Sequence, residues 1–312
     1  MKLSSPLRIG TRGSPLALAQ ANLVAGALRA VHGLDEAAVE IVAIRTSGDR
    51  LADQPLSEFG GKALWTKELD RALLAGETDM SVHSMKDVES VRPDTLRLAA
   101  MLPRADVRDR LIGAATPEDL PQGARVGTSS PRRAAQLLYL RPDLRILPIR
   151  GNVATRLARL EAGEADAILL AAAGLDRLGH AGTGSAVPID VMLPAAAQGA
   201  VGVECRTGDA FVADMIGAVD HAETWACVTA ERALLAGLGG SCRSPAAALA
   251  VKGDGRIVLR AEILTEDGTE RVARSADFAT VDFAADDPGG PTRLAHDLLD
   301  GASPALRALF SG

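Results

Sequence analysis

Short apolar runs alternate along the chain with longer stretches in which apolar residues recur every three or four positions, and the junctions between them repeat. Residues 7–18 (LRIGTRGSPLAL) and 124–137 (ARVGTSSPRRAAQL) each run from a short apolar strand into Gly-Thr. Small polar residues and arginine follow, and then Ser-Pro opens a helix. Ser14 and Ser130 are the N-caps this pattern predicts, with Pro15 and Pro131 at the first helical position, where no N–H is needed. Residues 144–157 (LRILPIRGNVATRL) put Arg150-Gly151-Asn152 at a third junction of the same kind. The stretch 64–82 predicts a helix with Trp65, Leu69, Ala72 and Leu73 on one face, closed by Gly76 and followed by a strand. Residues 153–170 repeat that pattern, Gly163-Glu164-Ala165-Asp166 answering Gly76-Glu77-Thr78-Asp79. The offsets between the paired segments differ, so the repeat is one of architecture and not a tandem duplication. Strands alternating with helices predict parallel α/β lobes, with loops at the C-terminal strand ends facing a cleft.

Leu-Pro pairs mark the crossings between lobes. One lies around Met101-Leu102-Pro103-Arg104, and the return lies in 192–199 (MLPAAAQG), after which 199–204 (GAVGVE) reads as a strand rejoining the first sheet. The expected domains are a discontinuous lobe 1 (1–102 and 196–219), lobe 2 (103–195) and a C-terminal domain (220–312). In that last domain a helix at 221–238 ends at Gly239-Gly240. Alternating segments over 248–283 are separated by hairpin signals at Lys252-Gly253-Asp254-Gly255 and Glu266-Asp267-Gly268. A final helix at 292–309 completes a small α+β domain.

With 312 residues, 47% apolar content and a mean hydropathy of +0.11, the chain can bury two or three cores. A net charge of −6 leaves no basic excess for neutralising phosphates, and five Phe, two Trp and one Tyr are too few for base-stacking platforms. Nucleic acid is therefore not an expected partner. Cys205, Cys227 and Cys242 show no CxxC spacing, which fits a reduced cytosolic protein and gives no support for a zinc site. With no apolar signal-like stretch near the start and no apolar run of membrane-spanning length, the expected compartment is the cytoplasm.

Arginine is concentrated at the helix openings: Arg12, Arg132, Arg133, Arg150 and Arg156. Helix N-termini flanked by guanidinium groups form anion sites, and several in one chain point to a ligand with several carboxylates or phosphates. Lys62 follows Gly60-Gly61 at a helix start, without the full spacing of a phosphate loop. Residues 83–88 (HSMKDV) put Ser84, Lys86 and Asp87 at a strand end; Asp87 reads either as a helix cap or as a carboxylate facing a cation that develops on substrate. Cys242 lies in a Gly- and Ser-rich loop (GGSCRSP) beside Arg243, which favours the thiolate; a loop cysteine without chemistry is the alternative. No His/Asn pattern of a cysteine hydrolase accompanies it.

TRGSPLALAQ, GGKALWTKEL, VHSMKDV, VGTSSPRR, RGNVATRL, LAAAGLDRLG, QGAVGVECR and the GGSC loop, in that order from about Leu7 to about Pro245, closely resemble the hydroxymethylbilane synthase (porphobilinogen deaminase) family. The resemblance implies two periplasmic-binding-protein-like α/β lobes around a cleft plus a small C-terminal α+β domain. It implies a monomeric cytoplasmic transferase that joins four porphobilinogen molecules head to tail and releases ammonia at each addition. It also implies a dipyrromethane cofactor held by a thioether at Cys242, with Asp87 as the catalytic carboxylate against pyrrole N–H groups. Arg12, Ser14, Lys62, Ser84, Thr128, Ser129, Arg132, Arg133, Arg150 and Arg156 match positions that hold cofactor carboxylates; Arg12, Arg150, Arg156, Arg177 and Gln198 match substrate positions, Gln198 also as a hinge. Glu58, Trp65, Glu89, Ser241 and Arg243 depart from the family pattern, and none removes a group the chemistry requires. The competing expectation is a two-lobed carboxylate-binding protein without catalysis.

Overall fold

Both Ser-Pro junctions are strand-to-helix turns in the computed structural model, which describes residues 5–45, 66–240, 244–279 and 289–310. The chain forms two units, Met1–Ala105 with Gly199–Trp225, and Asp106–Gln198 with Ala226–Gly312.

In the first unit β1 (Leu7–Arg12) runs into α1 (Pro15–His32), where the Ser14 hydroxyl accepts from the Ala17 N–H at 3.3 Å. Gly33 ends α1 in the left-handed region at φ 59°, and its N–H donates to the Arg29 carbonyl. β2 (Val39–Ile44), α2 (Lys67–Leu74), β3 (Met80–Ser84) and β4 (Leu96–Met101) follow, and β10 (Val201–Arg206) and α6 (Ala210–Gly217) return later in the chain. The sheet order is β2-β1-β3-β10-β4. β1 is parallel to β2 and β3, whereas β10 is antiparallel to both neighbours, so the expected parallel lobe is a mixed sheet. Ile9, Val24, Leu28, Met80, Val82, Val201, Val203 and Ile216 form the core on one face. On the other face β3 and β10 bury polar residues, Ser81, His83 and Glu204.

The second unit repeats the design with β5 (Asp109–Ile112), β6 (Arg125–Gly127), α3 (Pro131–Leu140), β7 (Arg145–Leu147), α4 (Val153–Glu161), β8 (Ala167–Ala171), α5 (Ala172–Arg177) and β9 (Ser185–Ala186). Its order is β7-β6-β8-β5-β9, and again the fourth strand runs antiparallel to its neighbours. The helix α7 (Ala222–Gly237) leads into a meander of β11 (Ala246–Gly253), β12 (Arg256–Leu264) and β13 (Arg271–Ala279). Asp254 and Gly255 have φ of 48° and 73°, the pair of positive values that a two-residue hairpin turn takes to match strand twist. The single helix expected at 292–309 is instead α8 (Gly289–Asp300) and α9 (Pro304–Ala308). Ser303-Pro304 restarts the helix by the same cap chemistry, the Ser303 hydroxyl accepting from the Leu306 N–H at 3.2 Å. The meander packs onto the preceding α/β sheet within this unit. Gln136 donates to Glu262, the Ala248 N–H donates to the Pro194 carbonyl at 3.1 Å, and Leu193 packs with Ala247 and Leu249.

Candidate active site

At the C-terminal ends of β1 and β3 the first unit has a cavity of about 60 Å³ that gathers Arg12, Ser14, Ser84 and Asp87 with Leu16, Ala17, Gln20, Thr66, Val82, His83 and Val88. Local chemistry sets this arrangement. Ser14 caps α1, and the Thr11 hydroxyl donates to the Ala17 carbonyl at 3.2 Å, so the strand end and the first helical turn are tied together. Asp87 ends a single 3-10 turn, Met85–Asp87, that starts directly after β3. The turn is anchored through the Met85 N–H to the Ala200 carbonyl at 3.1 Å and the Val88 N–H to the Met85 carbonyl at 3.3 Å. Gln20 donates to the Ser84 hydroxyl at 2.8 Å and orients it. A guanidinium, two hydroxyls and a carboxylate in one small cavity can hold a substrate carboxylate and an N–H donor together.

In the second unit the junction residues fall into two groups. Thr128 is buried at the end of β6, and its hydroxyl accepts from the Ser130 N–H at 3.2 Å. Ser129 donates to the Ile149 carbonyl at 3.0 Å. Asn152 caps α4, accepting from the Thr155 N–H at 2.9 Å, and Arg156 folds back so that its Nε donates to the Gly151 carbonyl at 2.8 Å. Gly151 has φ of 103°, and a Cβ there would lie 2.8 Å from the Thr155 methyl, so the turn needs glycine. Arg150 precedes that turn, and Arg177 closes α5, where burial pulls its guanidinium below its ordinary pKa.

Arg132 and Arg133 belong to the other group. Both side chains are buried, and they converge on Asp109 of β5 at 2.8 and 2.6 Å. Arg132 also donates to the Leu193 carbonyl at 2.7 Å and Arg133 to the Leu169 carbonyl at 3.0 Å. Gln198 joins the same hub, donating to Asp109 at 2.8 Å and to the Val107 carbonyl at 2.8 Å. Burial opposes ionisation of Asp109, but the fields and hydrogen bonds of Arg132 and Arg133 outweigh it and hold its carboxyl far below the usual range. The two arginines therefore face an internal counter-charge.

Lys62, Cys242, Glu58, Trp65, Ser241 and Arg243 lie outside the described residues. Gln20, Thr66 and His83 line the cavity without having been singled out by their sequence context. Gln20 carried a signal: it is a lone amide in the apolar stripe of α1 that includes Ala21, Val24, Ala25 and Leu28. Among the described residues no helix is long and apolar enough to cross a membrane.

Two family models match the chain, one described as porphobilinogen deaminase, dipyromethane cofactor binding domain, over residues 7–214, and one as porphobilinogen deaminase, C-terminal domain, over residues 225–287. The porphobilinogen deaminase of Sphingopyxis alaskensis is 55% identical over 313 residues, 98% of this chain and 97% of the relative. That of Paracoccus denitrificans is 50% identical over 305 residues, covering 96% of each. Among solved structures, a periplasmic substrate-binding protein of an ABC transporter from Coxiella burnetii aligns at a TM-score of 0.41 and 17% identity, over 68% of this chain and 91% of its own.

Proposed function

The chain belongs to the porphobilinogen deaminase family, and from that membership we propose how its own residues divide the work. It is a transferase of tetrapyrrole biosynthesis that condenses four porphobilinogen molecules into hydroxymethylbilane and carries a dipyrromethane cofactor. Porphobilinogen and dipyrromethane both present ring N–H groups and carboxylates. A set of cations and hydroxyls beside one carboxylate acceptor fits both, and the cavity holding Asp87 with Arg12, Ser14 and Ser84 is the observation that carries the assignment.

Asp87 accepts the pyrrole N–H and stabilises the positive charge that spreads onto the ring as ammonia leaves. The same carboxylate is placed to take or return a proton as the ring carbons bond. Arg12, Ser14 and Ser84 hold carboxylates in the first unit, with Lys62 assigned to the same task. Thr128, Ser129, Arg150, Arg156 and Arg177 do so in the second, where the free N–H groups at the openings of α3 and α4 add to the anion field. Arg132 and Arg133 contribute to that field from behind the opening of α3, since their guanidinium groups are engaged by Asp109. When bound, the dipyrromethane supplies the nucleophilic pyrrole carbon for the first condensation, and its attachment is a thioether to Cys242 in the 220–312 domain. Gln198 acts at the crossing, its amide fixed to Val107 and Asp109. The two-lobe division at 1–102 with 196–219 and 103–195, a monomeric state and a cytoplasmic location complete the proposal, the last in keeping with only three cysteines, an odd number that makes no disulfide framework.

The test is an intact mass of the purified protein beside Cys242→Ser, each before and after addition of porphobilinogen. The parent protein is expected to carry the extra mass of two linked pyrroles and the variant the bare polypeptide mass. Bare mass in both after porphobilinogen treatment would sink the assignment of Cys242 as the attachment point.

A further inference from the structure

Behind the Asp87 cavity lies a buried ion-pair network that the steps above do not use. Arg92 is its centre. Its Nε and Nη2 donate to the two carboxylate oxygens of Glu204 at 2.7 and 2.9 Å, Nη2 also to Asp70 at 2.6 Å, and Nη1 to Glu89 at 2.7 Å. The Arg92 side chain is 8% exposed and that of Glu204 fully buried, so these bonds are made largely out of water. Burial opposes the charge on Arg92, but Glu204 and Asp70 outweigh it and raise its pKa.

Two arms of this network end in the cavity wall. Glu204 faces the Nε2 of His83 at 3.1 Å, and His83 lines the cavity. Glu89 accepts from the Thr66 hydroxyl at 3.1 Å, and Thr66 both lines the cavity and precedes α2 as its N-cap residue. Glu89 is two residues beyond Asp87. The segment that carries Asp87 is thus held on its entry side by the Met85 N–H bond to the β10 flank. On its exit side it is held by Glu89, gripped jointly by Arg92 and Thr66. An ion pair with one face in the interior costs desolvation and is weak evidence for stability alone, but its geometry is specific. The position it specifies here is that of the Asp87 turn.

We propose that Glu89 and Arg92 are positioning residues for Asp87, clamping the Met85–Asp87 turn against α2 and β10. They make no contact with substrate; they act by fixing where the Asp87 carboxylate sits. The proposal rests on the assignment of Asp87 as the reacting carboxylate. An angstrom of misplacement at a reacting group costs on the order of a hundredfold in rate without a matching loss of binding.

The experiment measures kcat and KM for porphobilinogen and the melting temperature, on cofactor-loaded enzyme, for Glu89→Ala, Glu89→Gln, Thr66→Val, the Glu89→Ala/Thr66→Val double variant, Arg92→Lys and Asp87→Asn. Glu89→Ala is expected to lower kcat by about ten- to a hundredfold with KM within about twofold of the parent. Glu89→Gln, whose amide oxygen still accepts from Thr66, is expected to recover most of the loss. The double variant should lose no more than the worse single one, because both remove the same bond. Arg92→Lys, which keeps the charge and loses the fork, should fall between the parent and Glu89→Ala. A kcat for Glu89→Ala within twofold of the parent, with Asp87→Asn inactive, would overturn the clamp and leave Asp87 in place. Full activity in Asp87→Asn would instead remove the reading on which the clamp rests. A melting temperature that falls in step with kcat across all variants, with no recovery in Glu89→Gln, would also overturn it in favour of a purely structural role.

Discussion

Replacing Asp109 by asparagine keeps the side-chain shape and removes the one charge that faces Arg132 and Arg133. In the parent protein Asp109 accepts from Arg132, Arg133 and Gln198 at 2.6 to 2.8 Å, and both of its ion pairs are sealed from solvent. Breaking a buried pair by removing one partner costs about 3–5 kcal/mol, because the charge left behind is uncompensated. Here two guanidinium groups are left, and an asparagine amide N–H would point at one of them. For a unit of this size about 1 kcal/mol corresponds to roughly 2–4 °C, so Asp109→Asn should lower the melting temperature of the second unit by about 6–20 °C. Urea unfolding followed by circular dichroism gives the free energy directly. A triple replacement, Asp109→Leu with Arg132→Met and Arg133→Met, should regain much of the loss, since apolar groups of similar volume often replace a buried ion network at little cost. If Asp109→Asn melts within about 2 °C of the parent, the two arginines are not held by Asp109 and their guanidinium groups are available to an external carboxylate.

Three further outcomes follow from the geometry. The Arg92 and His83 partners hold Glu204 at a pKa of about 2 against an ordinary 4.5, although burial alone would raise it. A depressed carboxyl contributes stability that is full above the unfolded pKa and is lost as pH falls from about 4.5 towards about 2. The stability difference between pH 6 and pH 2 should therefore be about 3 kcal/mol smaller in Glu204→Gln than in the parent, measured by urea midpoints, and an unchanged difference would refute the pairing. Gly151→Ala forces a side chain into φ 103° and against Thr155, so it should cost about 1–3 kcal/mol and raise KM for porphobilinogen by disturbing the Arg150 and Arg156 turn. Asn152→Ala removes the α4 cap and should cost about 1 kcal/mol, with Asn152→Ser close to the parent in thermal melts.

What was legible in the sequence was local. Ser14, Ser130 and Asn152 are caps because each side chain reaches a backbone N–H three residues on, and such a bond needs only the residues that form it. Asp254-Gly255 was a readable hairpin for the same reason. The break between α8 and α9 obeys the Ser-Pro rule that opens α1 and α3, so the signal was present at Ser303-Pro304 and was overridden by apolar spacing across it. The polarity of strands was not legible. β10 enters between β3 and β4 from a distant part of the chain, and no local pattern in 199–204 states which way it runs. Met80–Ser84 alternates apolar and polar residues, the pattern of a strand with one wet face. That face is dry because Glu204 and Arg92, 112 residues apart, meet across it.

The same physical limit explains the arginines. A helix-opening arginine looks alike whether it points at a ligand or at an internal carboxylate, and the difference lies in a strand elsewhere. In the second unit that strand is the reversed fourth one, β5, which brings Asp109 to Arg132 and Arg133; in the first unit the reversed fourth strand, β10, brings Glu204 to His83 and to Arg92, which lies at no helix opening. Each reversed strand lies next to a crossing, β10 just after the return at 198–199 and β5 just after the outward passage at 105–106. Asp109 neutralises two guanidinium groups that would otherwise repel one another inside the protein, where opposite charges attract more strongly than in water. Arg12, which shares the cavity with Asp87, and Arg150 and Arg156, on either side of Gly151, are the junction arginines proposed above to hold ligand carboxylates. In the second unit the strand delivered by the chain crossing thus decides that the two arginines opening α3 meet an internal carboxylate.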